Sequence, residues 1–229
     1  MASPAIGRRP RWAPPVHAQI DSTHPLAQGL VTAWWPGVRT DPVDGALWTE
    51  NVATATAGTF GAARQIAASN LITRPNNPMP LQIGSLMIVQ RLTAAPSGNG
   101  NSVGNSVNDI ISRWGAHVPY GDGTIYFDIF NTSTGRLSYA GWSWGKWDVF
   151  VFTNGPTGGQ SIWGNGLRLA NDATMAPART NNGTWGWGQH AGTLQGTTSQ
   201  CSAVVGWGRE LFAGDIAALT ADPFCWARI

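Results

Sequence analysis

The chain is punctuated by residue pairs that tolerate positive φ: Asp122-Gly123, Asn154-Gly155, Gly158-Gly159, Asn165-Gly166 and Asn182-Gly183. Pairs of this kind close tight hairpins, because a type I′ turn needs left-handed backbone at both central positions. The segments around them are short and apolar or alternating, without a helical period. Leu30–Trp35, Ile83–Leu92, Asp109–Trp114, Thr124–Phe130, Trp147–Thr153, Gln160–Gly164 and Ser202–Trp207 read as strands. In the fourth of these, Tyr126, Asp128 and Phe130 alternate with Phe127 and Ile129. Both of its faces therefore carry apolar groups, which predicts partial cover on both sides.

Composition points the same way. Charged residues make up 11% of the chain, against about 25% in an average globular domain. Helices need charge on their outer faces. This chain instead uses 29 glycines and 13 tryptophans. Its 229 residues fit one all-β unit, since sandwiches run to about 200–250 residues. One short helix is expected, Asp215 to Ala221: Ile216 and Leu219 share a face, Asp215 suits the positive end of the dipole, and Pro223 stops it.

Residues 1–25 read as an extended arm, because Pro4, Pro10, Pro14, Pro15 and Pro25 forbid a helix. Val16, Ala18 and Ile20 alternate with polar residues, so an edge strand is expected to end the arm; the body follows over 26–229. Arg8, Arg9 and Arg11, with Trp12, are the one basic cluster. Three charges fall short of a nucleic-acid block, and the net charge of +2 gives no strong field, so the arm is expected to grip a protein partner. No apolar h-region follows the N-terminal charges, and no apolar run nears the roughly 20 residues of a membrane helix. Neither secretion nor a membrane is therefore expected. Cys201 and Cys225 are then expected as reduced thiols. Residues 97–108, rich in Gly, Asn and Ser, read as a polar loop.

Little here suits catalysis. A sandwich glycosidase holds two carboxylates across the scissile bond. The glutamates are Glu50 and Glu210, isolated from each other, and Asp128 has no carboxylate at i±2. Gly100 to Gly104 matches G-x-S-x-G, but inside the polar loop with no helix after it. Gly141 to Lys146 is one residue short of a phosphate loop and filled with tryptophan. His17, His24, His117 and His190 show no ligand spacing, so no metal site is expected. Calcium stays open through Asp41, Asp44, Asp122 and Asp172, whose stronger reading is as turn residues making Asx-type bonds. Trp142 with Trp144, and Trp185 with Trp187, stand two apart and are expected on one face of their strands. They form a candidate platform for a glycan or a protein interface, beside the plainer reading of core filling.

Three stretches resemble a known family. Phe150 to Thr153 followed by Gln160 to Gly166 (QSIWGNG) resembles a hairpin of concanavalin A-like, laminin-G-like jelly rolls. Val204 to Leu211 (VVGWGREL), then Asp215 to Leu219 and Asp222 to Phe224, resembles their closing strand and short helix. Pro25 to Trp34 (PLAQGLVTAW) is similar to the opening of small phage- and prophage-encoded members. The resemblance implies a jelly-roll β-sandwich with one C-terminal helix. The family includes lectins, glycosidases, adhesion modules and virion proteins. The expectation is a non-catalytic virion protein made in the host cytoplasm, a capsid-decoration or fibre-associated subunit docked by its arm onto a capsid or tail protein. The alternatives are a carbohydrate-binding module for a host glycan and, behind it, a glycan hydrolase. The excess of tryptophan over charge predicts self-association, with a trimer as the expected form.

Overall fold

The structure is a computed structural model describing residues 18–51, 54–58, 61–67, 70–98, 100–106, 111–180, 183–190, 193–194 and 197–228. The arm residues Arg8, Arg9, Arg11 and Trp12 lie outside them. Two antiparallel sheets form a sandwich. The seven-stranded sheet runs, edge to edge, Arg136–Tyr139, Ile125–Phe130, Arg113–His117, Ser102–Asn105, Trp185–Trp187, Leu71–Arg74 and Thr49–Asn51. The eight-stranded sheet runs Leu167–Asp172, Gly159–Gly164, Trp147–Gly155, Gly84–Leu92, Ser199–Trp207, Gly61–Ile66 and Thr54–Gly58. Its eighth strand, Leu30–Trp34, also pairs with Ser199–Trp207. That long strand serves two partners along one edge, Gly61–Ile66 at Ser199 to Cys201 and Leu30–Trp34 at Val204 to Trp207. Ser202, between them, donates its hydroxyl to the Ala62 carbonyl at 2.9 Å.

The central strands of the eight-stranded sheet are where the periodicity places them. Gly84–Leu92 and Trp147–Gly155 pair through the middle of their sheet, Phe150 opposite Ile88 and Phe152 opposite Leu86. Phe152 faces Phe127 across the sandwich at 5.3 Å between ring centroids. Phe127 in turn meets Trp114 edge-on at 5.4 Å. The central strands Gly84–Leu92, Trp147–Gly155 and Ser199–Trp207 are buried at nearly every position, so both faces of the middle of their sheet are covered.

The Asn165-Gly166 pair is the two-residue hairpin the sequence predicts, with φ of 49° and 81°. Asn165 adds more than its backbone. Its side chain accepts the Val149 amide proton at 2.8 Å and donates to Asp148 at 2.9 Å, tying the turn to a third strand.

Two expectations are corrected. Residues 97–108 are not one loop: Ser102–Asn105 is a buried strand in the middle of the seven-stranded sheet. The strand expected at Asp109–Trp114 runs Arg113–His117. The end of the arm is tied down, with Gln19–Ile20 paired to Ala227–Arg228 and Ala18 buried. The helix spans Ala213–Ala221 with Ile216 and Leu219 inward. Asp215 accepts the Phe212 amide proton at 3.2 Å and pairs with Arg209 at 2.9 Å. Cys201 and Cys225 are not joined by a disulfide. No described helix is long and apolar enough to cross a membrane.

Candidate functional site

The four platform tryptophans divide. Trp185 is fully buried and Trp187 is 1% exposed. Their strand sits between two others, and both rings point into the sandwich, with Trp185 6.2 Å from Trp48. They are core, and their candidacy as a platform is corrected. Gly186 between them allows that packing: its φ is 155°, and a Cβ there would run into the Ile72 carbonyl.

Trp142 and Trp144 are half-buried and precede the strand Trp147–Gly155 instead of lying on one. Both rest on Phe150, at 5.3 and 5.9 Å between centroids. Trp142 lies over Gly164, where a Cβ would meet the ring at 2.7 Å. Its Nε1 donates to Asp148 at 3.2 Å. Asp148 is 1% exposed, and burial pushes its carboxyl above the ordinary value of 3.8 against the bonds from Asn165 and Trp142. Lys146 sits over the Trp142 ring at 5.1 Å, a cation–π contact.

Trp144 is the indole left to face outward. It lines an open hollow of about 410 Å³ with Arg91, Leu92, Thr93, Ala94, Ala95 and Gly145. Arg91 donates through Nε to the Gly145 carbonyl at 2.9 Å, which fixes the guanidinium at the rim. Thr93 is held at the Thr198 carbonyl at 3.1 Å. Arg91 and Thr93 were not among the residues expected at a site; they flank the end of a predicted apolar strand, which is the one signal the sequence carries for them.

The carboxylates are occupied by structural bonds. Asp128 is fully buried and gripped bidentately by Arg136, Nε and Nη2 each at 2.6 Å, with Arg113 at 3.5 Å. Arg136 also covers the Tyr126 ring at 4.4 Å. Glu210 accepts the amide protons of Thr157 and Gly158 at 3.0 and 2.6 Å, closing a hairpin. Glu50 pairs with Arg64 at 2.7 Å. Asp41 and Asp44 share Arg74, at 2.6 and 2.5 Å. Their environments push them apart: burial raises the Asp41 carboxyl, while Asp44, whose slight burial acts the other way, is lowered by its bonds from Arg74 and Ala46. Divergence of that kind is what an acid and base pair needs. Asp41, however, is 1% exposed and also accepts from Thr32, Ala33 and Val43, so no substrate reaches it.

Asp41, Asp44, Asp122 and Asp172 each accept the amide proton two residues on, at 2.8 to 3.1 Å. Among the described residues no three His, Cys, Asp or Glu side chains converge as a metal site.

The fold places the chain among β-sandwich domains, a class that holds binding modules and parts of enzymes alike. It is similar to domain 4 of AbnA, a GH43 extracellular arabinanase from Geobacillus stearothermophilus, in complex with arabinotriose (TM-score 0.67, 12% identity, 83% of this chain and 98% of that one). It is similar also to the binding domain of botulinum neurotoxin DC in complex with rat synaptotagmin II (0.59, 12%, 84% and 51%) and to Trypanosoma rangeli sialidase (0.59, 12%, 88% and 35%). The chain thus spans about half of the toxin domain and a third of the sialidase. No protein-family profile and no curated protein sequence matches it.

Proposed function

We propose that the chain is a non-catalytic, lectin-like binding module that takes a neutral oligosaccharide at the Trp144 hollow. The observation that carries this is a half-buried indole facing an open hollow beside the Arg91 guanidinium, which spends Nε on the Gly145 carbonyl and keeps its terminal nitrogens for a ligand. An aromatic face covers the apolar face of a sugar ring, and neighbouring donors orient its hydroxyls. Openness suits a chain that passes through. Support comes also from the likeness over nearly the whole of a domain that carries arabinotriose. The occupied state of Asp128, Glu50, Glu210 and Asp41 supports the non-catalytic part. The test is a glycan array followed by calorimetry with the best neutral oligosaccharide, arabinotriose included. Trp144→Ala should weaken binding about tenfold or more while costing under about 1 kcal/mol of stability. Turnover of any ligand, or binding indifferent to Trp144→Ala, defeats the reading.

A virion subunit docked by its arm is the second reading. One observation favours it: pairing of Gln19–Ile20 with Ala227–Arg228 gives an arm that grips a capsid or tail protein a fixed mechanical link to the body. Deleting residues 1–17 removes Arg8, Arg9, Arg11 and Trp12 and keeps that pairing. The truncated chain should no longer co-sediment with particles. Undiminished occupancy sinks the docking role. Light scattering across a dilution series tests the accompanying trimer, which a monomer mass throughout would exclude.

A further inference from the structure

A second hollow, of about 360 Å³, lies between the chain leading into Thr49–Asn51 and the strand Gly61–Ile66. Arg39, Trp48, Thr49, Glu50, Arg64 and the backbone of Gly37 line it. Its size falls within the range of small-ligand sites. We propose that it binds a saccharide through a carboxylate substituent, a sugar acid. The inference rests on the glycan-binding reading above and names a second ligand class for the same module.

The charges decide the sign. The wall carries two arginines and one glutamate. Arg64 spends only Nε on Glu50, at 2.7 Å, so its two terminal nitrogens stay available on one edge of the guanidinium. That edge is a planar two-point donor, which matches a planar carboxylate. Arg39 is exposed and makes no ion pair among the described residues. One positive charge is therefore left over, and it calls for one negative charge. A phosphate, carrying about −1.5 to −2 at neutral pH, would face Glu50 with the excess; a carboxylate balances the wall.

The rest of the wall decides the scaffold. Glu50 uses only Oε2 on Arg64, leaving Oε1 to accept a ligand hydroxyl. Thr49 offers a hydroxyl that both donates and accepts. Trp48 is 6% exposed and holds one wall rigid: Trp185 packs against it at 6.2 Å, and Arg74 sits 5.9 Å from its ring. Arg74 is itself clamped by Asp41 and Asp44, so its charge is spent within the body. The Trp48 Nε1 is buried with no hydrogen-bond partner. Donors, an acceptor and an apolar wall together fit a polyhydroxylated acid better than a fatty acid, which would leave Glu50 unanswered.

The test titrates the full-length protein with tri-galacturonate, its uncharged methyl ester and a sulfated trisaccharide. The acid should bind about tenfold tighter than the ester, and the advantage should shrink as salt rises. Arg39→Gln, an exposed side chain whose loss leaves the fold intact, should remove most of that advantage. Arg64→Lys keeps the charge but not the fork and should remove part of it. All of these comparisons are made in the Trp144→Ala background, where the neutral site is disabled and the ester reports on the second hollow alone. An ester that binds as well as the acid, a sulfated sugar that binds better, or an advantage untouched by Arg39→Gln overturns the proposal. If neutral oligosaccharides still bind through Trp144 in that case, only the sugar-acid inference has failed. If no saccharide of either kind binds, the module reading has failed with it.

Discussion

Tryptophan has two fates in this molecule, and local sequence does not separate them. Trp142-Ser143-Trp144 and Trp185-Gly186-Trp187 carry the same spacing. Alternation predicts the members of each pair on one side. It holds for Trp185 and Trp187, which lie on a strand, but not for Trp142 and Trp144, which lie ahead of theirs, and it leaves open which side is inward. The answer comes from the neighbours. Trp185 is flanked by Arg74 and Asn105 on the adjacent strands, whereas Trp142 and Trp144 precede their strand and lean on Phe150 from its end. The difference has an energetic consequence. Trp185→Ala opens a cavity in close-packed core and should cost about 3–5 kcal/mol. Trp144→Ala removes a half-exposed ring and should cost under about 1 kcal/mol. Chemical denaturation of both variants measures the gap; equal losses would mean that the Trp144 ring is a packing residue and no platform.

At the scale of elements, the sequence is legible where pattern and chemistry coincide. Ile83–Leu92 and Trp147–Thr153 are apolar enough that only an interior strand suits them, and they are the paired centre of the eight-stranded sheet. Asn165-Gly166 predicts a turn type that the backbone adopts. Ser102–Asn105 escapes the same reading because its inward residues are Val103 and Asn105 and its outward ones Ser102 and Gly104. Asn105 is buried by a specific bond, its Oδ1 accepting the Trp114 amide proton at 3.3 Å, and no hydrophobic pattern announces such a bond. Thr49–Asn51 and Arg136–Tyr139 are polar edge strands and escape for a related reason: an edge needs little apolar content. The candidate site is less legible still. Trp144 stands out by residue type, but Arg91 and Thr93 join it only because Trp147 pairs with Arg91 across the sheet. Register is a tertiary outcome.

Over the whole molecule, the scarcity of charge conceals where the charges are. The chain has few, yet it buries Asp41, Asp128, Asp148, Arg74, Arg179 and Glu210. Arg179, with no ion pair among the described residues, is brought down by burial to about 10 and stays protonated at neutral pH. Buried acids make stability respond to pH, and the sign follows from the direction of each shift. Asp41 and Asp148 are raised above 3.8, chiefly by burial. Between 3.8 and its folded value, each holds a proton that the unfolded chain has released, so each stabilises the fold at the acid end. That contribution is lost as pH rises through the folded value. Asp44 and Asp122 are lowered, so their contribution disappears only as pH falls below 3.8. The two pairs therefore act in separate windows. Asp148→Asn isolates one member of the first pair, since the amide does not titrate. Lys146 is the charged neighbour that opposes the Asp148 shift, and it stays in both proteins. The melting temperature of Asp148→Asn relative to the parent should climb as pH rises from 3.8 through the folded value of Asp148 and then level off. Below 3.8 the difference should be flat, both side chains being neutral there. A difference that falls with rising pH would mean that the Asp148 carboxylate is stabilised by Trp142 and Asn165 more than burial opposes it, and the interior beneath Trp142 would then be a charged support for the site.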